Sequence, residues 1–253
     1  MKILQHSSNP FGGVILSSKD IPLSSDDFFN TIKFSIDEWR KENYKVVWLE
    51  LDLKRSQLVP IAVSLGFEYH HCTSKDLMLT YSIVKDSFIP PYSSHYIGAG
   101  GVVINEKDEL LVVVENRGNI SNPTPFYKLP GGTIKEGEHI SDGVVREVLE
   151  ETGIDTDFES IICFRNLHGY RFAKSDIYFV CRLIPKNSEI VIQTEEIEES
   201  KWMPIKQYLS DDRVSLFNKR IVEDSVKSKG LAIEIIDGNR SPEQQEVFMP
   251  VIK

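Results

Sequence analysis

The sequence has few cysteines, no long apolar run and no surplus of basic residues, and each shortage excludes a class of protein. Its 253 residues include three cysteines, Cys72, Cys163 and Cys181. They are too few and too scattered for a disulfide framework or a zinc motif, so reduced thiols of an intracellular protein are expected. No apolar run approaches the roughly 20 residues of a membrane span, and the first residues lack the apolar segment of a secretory signal. We therefore expect a cytoplasmic protein with no membrane partner.

The missing positive charge is concentrated in the second part of the chain. Residues 1–90 carry 10 Lys and Arg against 11 Asp and Glu, whereas the remainder carries 19 against 27. An acidic surface repels nucleic-acid backbones, so a nucleic-acid partner is disfavoured. Cleavage of an RNA cap is disfavoured for the same reason, because it needs a basic channel for the strand. A small phosphorylated molecule bridged by a metal ion remains compatible with this charge.

A Pro-Pro pair with little periodicity around it, at residues 86–95, predicts a linker between two domains, 1–90 and 95–253. Hydrophobic periodicity before the linker predicts a small α+β unit, with strands at 13–16, 45–51, 67–70 and 77–83 and helices at 25–43 and 56–65. Beyond the linker, strands at 99–104 and 110–114 are predicted to form a hairpin around a polar turn. Later strands are predicted at 160–165, 176–183, 233–236 and 247–251, and helices at 205–210 and 214–228.

A further helix is predicted from Ser141, as its N-cap, to a stop at Gly153. Its positions three and four apart share a face, so Glu147, Glu150 and Glu151 should lie side by side. Three clustered carboxylates favour a hard divalent cation with oxygen ligands, Mg²⁺ or Mn²⁺. The alternative to a metal site is a solvated acidic helix face, which is what most Glu-rich helical stretches are.

The wider pattern around this helix decides between the two interpretations. Residues 132–154 read GTIKEGEHISDGVVREVLEETGI, with the spacing G-x5-E-x7-R-E-U-x-E-E-x-G-U, where U is apolar. This sequence resembles the Nudix box at every specified position, and the preceding Leu129-Pro130-Gly131-Gly132 also matches that family.

The resemblance implies an α+β chain with a Nudix α/β/α sandwich around a mixed sheet. It also implies that Glu147, Glu150 and Glu151 are catalytic and, together with Gly131, bind the metal. Arg146, grouped with the catalytic residues, resembles the arginine that braces the loop through Glu138 or nearby carbonyls.

Segments outside the box resemble a subgroup of plant and human Nudix hydrolases that carry a pre-Nudix domain. These segments are residues 48–71 and 164–185, the latter with Lys174-Ser175-Asp176 before an apolar strand. The end of the first domain, a helix followed by Gly66-Phe67 and a strand, is similar in shape to the last motif of acetyltransferase folds. It has no Gly-rich pyrophosphate loop to support acyl-CoA binding.

The subgroup implies hydrolysis of ADP-ribose or NADH with release of AMP. Phe126 and Tyr127 either stack on the base or belong to the core. Tyr170 lies near the position of a tyrosine in dinucleoside polyphosphate hydrolases, and the proline of ADP-ribose hydrolases is absent there. His168 and Arg171, in a loop between strands, are candidates for contacting phosphates, although a lone loop histidine is more often structural.

Glu196 lies in an acidic run that is either a solvated face or, by the resemblance, the source of a further ligand or general base. A rival hypothesis is a catalytically weak nucleotide-binding or regulatory protein whose first domain recruits a partner. A homodimer is also expected, because a 90-residue unit buries only part of its apolar surface alone.

Overall fold

The computed structural model describes residues 1–116, 126–238 and 240–251, and it contains two compact units, residues 1–93 and 94–253. In the first unit five strands form one sheet in the order β1-β2-β3-β5-β4. The strands are β1 (Ser7–Ser8), β2 (Gly13–Leu16), β3 (Val46–Asp52), β4 (Glu68–Cys72) and β5 (Asp76–Ser82). None of the described helices of the chain is long and apolar enough to cross a membrane.

Helix α1 (Ser25–Lys41) covers this sheet with a stripe of apolar residues four positions apart, Phe28, Ile32 and Ile36, all of them buried. The predicted helix at 56–65 is instead a 3-10 turn, Leu53–Leu58, followed by α2 (Val59–Ser64). Pro60 fits the first turn of α2, where a missing N–H leaves no intrahelical hydrogen bond unmade.

In the second unit six strands form a mixed sheet in the order β13-β12-β9-β10-β6-β8, and β7 pairs with β11. The strands are β6 (His95–Val103), β7 (Glu109–Glu115), β8 (Gly131–Thr133), β9 (Thr156–Leu167), β10 (Ser175–Pro185), β11 (Ile197–Pro204), β12 (Leu231–Ile233) and β13 (Phe248–Pro250). The helices are α3 (Ile140–Thr152), α4 (Ile205–Ser210) and α5 (Leu216–Ser225).

The two faces of these strands belong to separate cores. Val102 and Val180 pack with residues of α4 and α5, whereas the next residue along each strand, Val103 and Cys181, packs with α3. Successive side chains of a strand point to opposite faces, so helices cover the strands on both sides. The predicted α/β/α sandwich with a mixed sheet is confirmed.

The predicted hairpin between residues 99–104 and 110–114 is wrong. An isolated bridge joins Ile104 to Leu110, but β6 pairs in parallel with β10, and β7 pairs with β11. The hairpin prediction rested on a short polar turn, which does not fix strand pairing when both strands are buried and each finds a distant partner.

The prediction of Ser141 as an N-cap is also wrong. Helix α3 begins at Ile140 with His139 as its N-cap, and His139 makes no capping hydrogen bond with its side chain. The carboxylate of Glu246 accepts from the backbone N–H groups of Ile140, at 2.7 Å, and Ser141, at 3.2 Å. A residue more than 100 positions away therefore caps this helix.

Candidate active site

Glu151 links helix α3 to the segment Leu129-Pro130-Gly131-Gly132, here called the glycine loop, whose last two residues begin β8. Its Oε2 accepts a 2.8 Å hydrogen bond from the backbone N–H of Gly131, and the residue is only 5% exposed. Burial raises the pKa of Glu151 to about 7, although the nearby Lys128 ammonium and the Gly131 N–H act in the opposite direction. A buried carboxylate of this kind is stabilised by positive charge brought close to it.

The two loop glycines allow the backbone to approach its neighbours closely. A Cβ on Gly131, whose φ is +148°, would lie 2.2 Å from the carbonyl oxygen of Ala99. A Cβ on Gly132 would lie 2.4 Å from Oε2 of Glu147. Side chains at these positions would displace the loop from β6 and Glu147 from the loop.

Arg146 braces the loop against the helix. Its Nε and Nη2 donate to the two carboxylate oxygens of Glu138 at 2.6 and 2.8 Å, and Nη2 also donates to the Thr133 carbonyl at 3.2 Å. Its Nη1 donates to Glu147 at 2.8 Å and to Glu150 at 3.0 Å. A single guanidinium thus orients three carboxylates and the loop at once.

Lys128 offsets the charge on the other side of the site. Its ammonium lies 2.6 Å from Oε1 of Glu115, at the end of β7, and 3.6 Å from Oε1 of Glu151. Lys128 bridges a carboxylate of the sheet and a carboxylate of α3.

The donor chemistry of the site suits a hard divalent cation, since its side-chain oxygens are carboxylates. Within residues 1–116, 126–238 and 240–251, no three His, Cys, Asp or Glu side chains converge closely enough to hold an ion in this structure. Lys128 and Arg146 instead offset the negative charge of Glu147, Glu150 and Glu151. The carboxylate oxygens are therefore suitable ligands for a divalent metal ion. Of the three glutamates, Glu151 is the one buried, so a nearby positive charge would stabilise its ionised form most.

A cavity of about 610 Å³ opens at the glycine loop. Glu147, Glu150 and Glu151 do not form part of its wall, but Gly131, which donates to Glu151, does. One part of its wall comprises the loop residues Gly131 and Gly132 together with Glu115 and Lys128. Another part includes a turn between β9 and β10 and the start of α5.

Tyr178 and Arg165 shape the interior of this cavity. A Cβ on Gly100 would overlap the Tyr178 hydroxyl, so the glycines of β6 leave room for the tyrosine ring. Burial, and then the charge of Glu151, raise the pKa of Tyr178 above its usual value. Arg165 donates from Nη2 to the buried Asp176 at 2.9 Å, and its guanidinium lies 5.5 Å from the ring centroid of Phe217.

Comparison with known proteins shows the family of the chain. Residues 94–224 match the NUDIX domain model, and residues 4–83 match a Nudix hydrolase domain model. Nudix hydrolase 8 of Arabidopsis thaliana is 40% identical over 226 residues, which are 87% of this chain and 61% of that protein. Human nucleoside diphosphate-linked moiety X motif 6 is 32% identical over 225 residues, covering 86% and 70%. The chain belongs to the Nudix hydrolase family.

The resemblance of the sequence to the Nudix family is thereby confirmed. The chain spans about three fifths of the length of Nudix hydrolase 8 of Arabidopsis thaliana. Among solved structures, a NUDIX hydrolase from Nitrosomonas europaea is 19% identical, with a TM-score of 0.46 over 57% of this chain and 99% of that chain.

Two of the five substrate residues suggested by the sequence, Tyr170 and Arg171, line the cavity described above. His168 is exposed, and its Nδ1 lies 2.9 Å from the Ser175 hydroxyl, outside the cavity wall. Phe126 also lies outside the wall.

The structure places Tyr127 in the core, 2% exposed, with the Lys201 ammonium and the Arg213 guanidinium 4.3 and 4.5 Å from its ring centroid. Of the two roles open to it in the sequence, packing is the one this position favours, because the protein's own cations cover the ring.

The acidic run around Glu196 is only partly a solvated face. Glu196 itself is exposed, and its carbonyl accepts from the Asn116 N–H at 2.7 Å. Glu199 lies on β11, which the sequence did not predict, and pairs with Lys201 at 2.6 Å. Lys201 lowers the pKa of Glu199. Neither glutamate is part of the cavity wall.

Sequence reasoning missed Glu115, Lys128, Arg165 and Tyr178. Two of them could have been found from the sequence. Lys128 directly precedes Leu129-Pro130. The glycines of β6 indicate the close approach of a large side chain, which is that of Tyr178. Glu115 had none, because an acid at a strand end is ordinarily solvated.

Proposed function

We propose that this Nudix hydrolase is a pyrophosphohydrolase that depends on Mg²⁺ or Mn²⁺ and cleaves a nucleoside diphosphate linked to another moiety. ADP-ribose and NADH are the proposed substrates, and AMP is one product. The observation that carries the proposal is the buried Glu151 carboxylate, held by the Gly131 N–H next to a cavity that can accommodate a small molecule.

Glu147, Glu150 and Glu151 are the residues that would hold the metal. A divalent ion bound there supplies charge to the pyrophosphate oxygens and a water of lowered pKa. The chain's own residues orient this site: Arg146 fixes Glu147 relative to the loop, and Gly131 fixes Glu151.

The substrate proposal rests on the cavity and on the relatives. A volume of about 610 Å³ is typical of sites for nucleotide-sized ligands. The relatives are Nudix hydrolases and a nucleoside diphosphate-linked moiety X protein by name. A compound with a nucleoside diphosphate and a second moiety is therefore favoured over a bare nucleoside triphosphate.

Metal dependence is tested by hydrolysis of ADP-ribose and NADH with Mg²⁺, Mn²⁺ or EDTA. Glu150→Gln should reduce kcat by about two orders of magnitude. Asp142→Asn is the matched control, because Asp142 is an exposed acid in the first turn of the same helix. Full activity in EDTA would overturn the metal requirement.

The substrate class is tested by a panel that also contains NAD⁺, FAD, CoA, diadenosine polyphosphates and nucleoside triphosphates. Faster turnover of ATP or dGTP than of ADP-ribose and NADH would overturn the assignment but leave the metal chemistry intact. Tight binding of ADP-ribose without turnover of any compound would favour the rival hypothesis of a regulatory protein.

We further propose that the chain forms a homodimer, in keeping with the incomplete apolar burial expected of a 90-residue unit. Sedimentation equilibrium of the full chain should give twice the mass of one chain. A single-chain mass across the concentration range would rule the dimer out.

A further inference from the structure

The turn between β9 and β10 has an unfavourable backbone. Phe172 and Ala173 have φ values of +52° and +57°, so two successive residues with a Cβ adopt the left-handed conformation. That conformation is disfavoured for residues other than Gly, Asn and Asp, because the Cβ crowds the following carbonyl. Such outliers persist only where the surrounding structure holds them, and they are enriched at ligand-binding positions.

Local hydrogen bonds and ring contacts hold this turn. The Tyr170 N–H donates to the Lys174 carbonyl at 2.9 Å, and the Lys174 N–H donates to the Arg171 carbonyl at 3.1 Å. The Arg171 guanidinium lies 5.4 Å from the centroid of the Tyr170 ring, and that ring meets Tyr96 edge-on at 6.0 Å. These contacts fix the backbone of the turn, and its strain lies at Phe172 and Ala173.

The backbone conformation of the turn directs the Phe172 side chain towards solvent. This side chain is 86% exposed and therefore adds almost nothing to the apolar core. Phe172 nevertheless forms part of the cavity wall, with Tyr170 and Arg171. A flat apolar ring held at the edge of a substrate cavity, at a cost to the free protein, fits a flat ring of the ligand.

Other aromatic residues near the site are less suited to this contact. Tyr127 is buried between Lys201 and Arg213, and Phe126 lies outside the wall. Tyr170 already packs edge-on against Tyr96. The rings of Tyr96 and Phe217, which also line the cavity, lie 5.3 Å from the Lys174 ammonium and 5.5 Å from the Arg165 guanidinium.

We propose that Phe172 is a substrate-positioning residue that stacks on the nucleobase of the nucleoside diphosphate substrate. This inference rests on the proposed function, and it adds the contact that orients the nucleoside half. The turn fixes the backbone of Phe172 before substrate arrives, so less backbone freedom is lost on binding.

The test compares Phe172→Leu, which keeps an apolar side chain without a ring, with Phe172→Trp, which keeps a stacking surface. Phe88→Leu is the matched control, because Phe88 is 82% exposed and lies in the first unit outside this cavity. Binding of AMP is measured by calorimetry, with ribose 5-phosphate as a probe without a base. KM and kcat are measured with ADP-ribose.

Phe172→Leu should weaken AMP binding and raise KM by about tenfold, the size of one base–aromatic stack, with kcat within about twofold. Phe172→Trp should restore both values, Phe88→Leu should change neither, and ribose 5-phosphate should bind all forms equally. AMP binding by Phe172→Leu at the strength of the unmodified protein would overturn the inference, as would equal weakening in the Leu and Trp variants.

Failure of the proposed function gives a different result. A protein that binds AMP through Phe172 but does not cleave ADP-ribose contradicts the hydrolase assignment and keeps the stacking contact. Cleavage of ADP-ribose without any dependence on Phe172 does the reverse.

Discussion

Arg146 and Glu138 form a two-pronged ion pair, with Nε to Oε1 at 2.6 Å and Nη2 to Oε2 at 2.8 Å. The pair joins α3 to the loop that precedes it, and the Lys135 N–H adds a 2.8 Å hydrogen bond to the same carboxylate. These contacts hold the pKa of Glu138 at about 2, chiefly through the hydrogen bonds from Arg146. The loop is therefore fixed to the helix by an ionised glutamate.

We expect Glu138→Gln to lower the free energy of unfolding at pH 7 by about 2 kcal/mol, as for a hydrogen bond to a charged group. Because the pKa of Glu138 is lowered on folding from 4.5, its contribution is fully present above about pH 4.5 and declines as the pH falls towards 2. Urea unfolding should thus show a smaller difference between the two proteins at pH 3.

Glu136→Gln is the matched control, because Glu136 is exposed in the same loop. A difference between Glu138→Gln and the unmodified protein that is constant from pH 7 to pH 3 would contradict the role of the ion pair.

Glu151→Gln should strongly reduce activity without destabilising the protein in EDTA. Gln keeps an acceptor for the Gly131 N–H, Lys128 keeps Glu115 as a partner, and the unfavourable burial of a charge is relieved. We expect kcat to fall by about two orders of magnitude, with a free energy of unfolding within about 1 kcal/mol of the unmodified protein. A large loss of stability in urea unfolding would indicate that Glu151 is a structural residue.

Gly153→Ala should destabilise the second unit by about 2 kcal/mol. Gly153 ends α3 with φ +71°, and a Cβ there would lie 3.0 Å from the backbone nitrogen of Val191. Gly137→Ala separates the two causes, since Gly137 has φ +76° but open space around it, and about 1 kcal/mol is expected. Equal losses in urea unfolding would show that the contact with Val191 contributes nothing.

Tyr127→Phe should reduce stability and leave substrate binding unchanged. The Tyr127 hydroxyl lies 3.2 Å from Oε1 of Glu199 and also contacts Lys201, so its loss should lower the free energy of unfolding by about 1 kcal/mol. KM for ADP-ribose should stay within about twofold. A clear rise in KM at unchanged stability would restore Tyr127 as a residue that contacts substrate.

The local elements around the site follow from the sequence. Val144 and Val148 fix the buried face of α3, and Gly153 fixes its end, because only a residue without Cβ readily adopts the left-handed conformation found there. The grouping of the three glutamates on that helix follows from its period alone. The buried face and the end of α3 depend on residues close together in the sequence, so both can be predicted from the local sequence.

The sequence could not show that Glu151 is buried while Glu150 remains exposed on the same helix. That difference depends on where β8 and its glycine loop pack, since Gly131 supplies the N–H that compensates the buried oxygen. A helical period gives the relative directions of side chains but not the surface that covers them.

Partners distant in the chain were decided by the tertiary structure alone. Glu246 caps α3, Lys128 joins Glu115 to Glu151, and β6 pairs with β10 instead of β7. Each carboxylate, ammonium or strand edge has many chemically equivalent partners in a chain of this length. Packing of the two cores selects among them, because it places one partner within hydrogen-bonding distance and moves the others away.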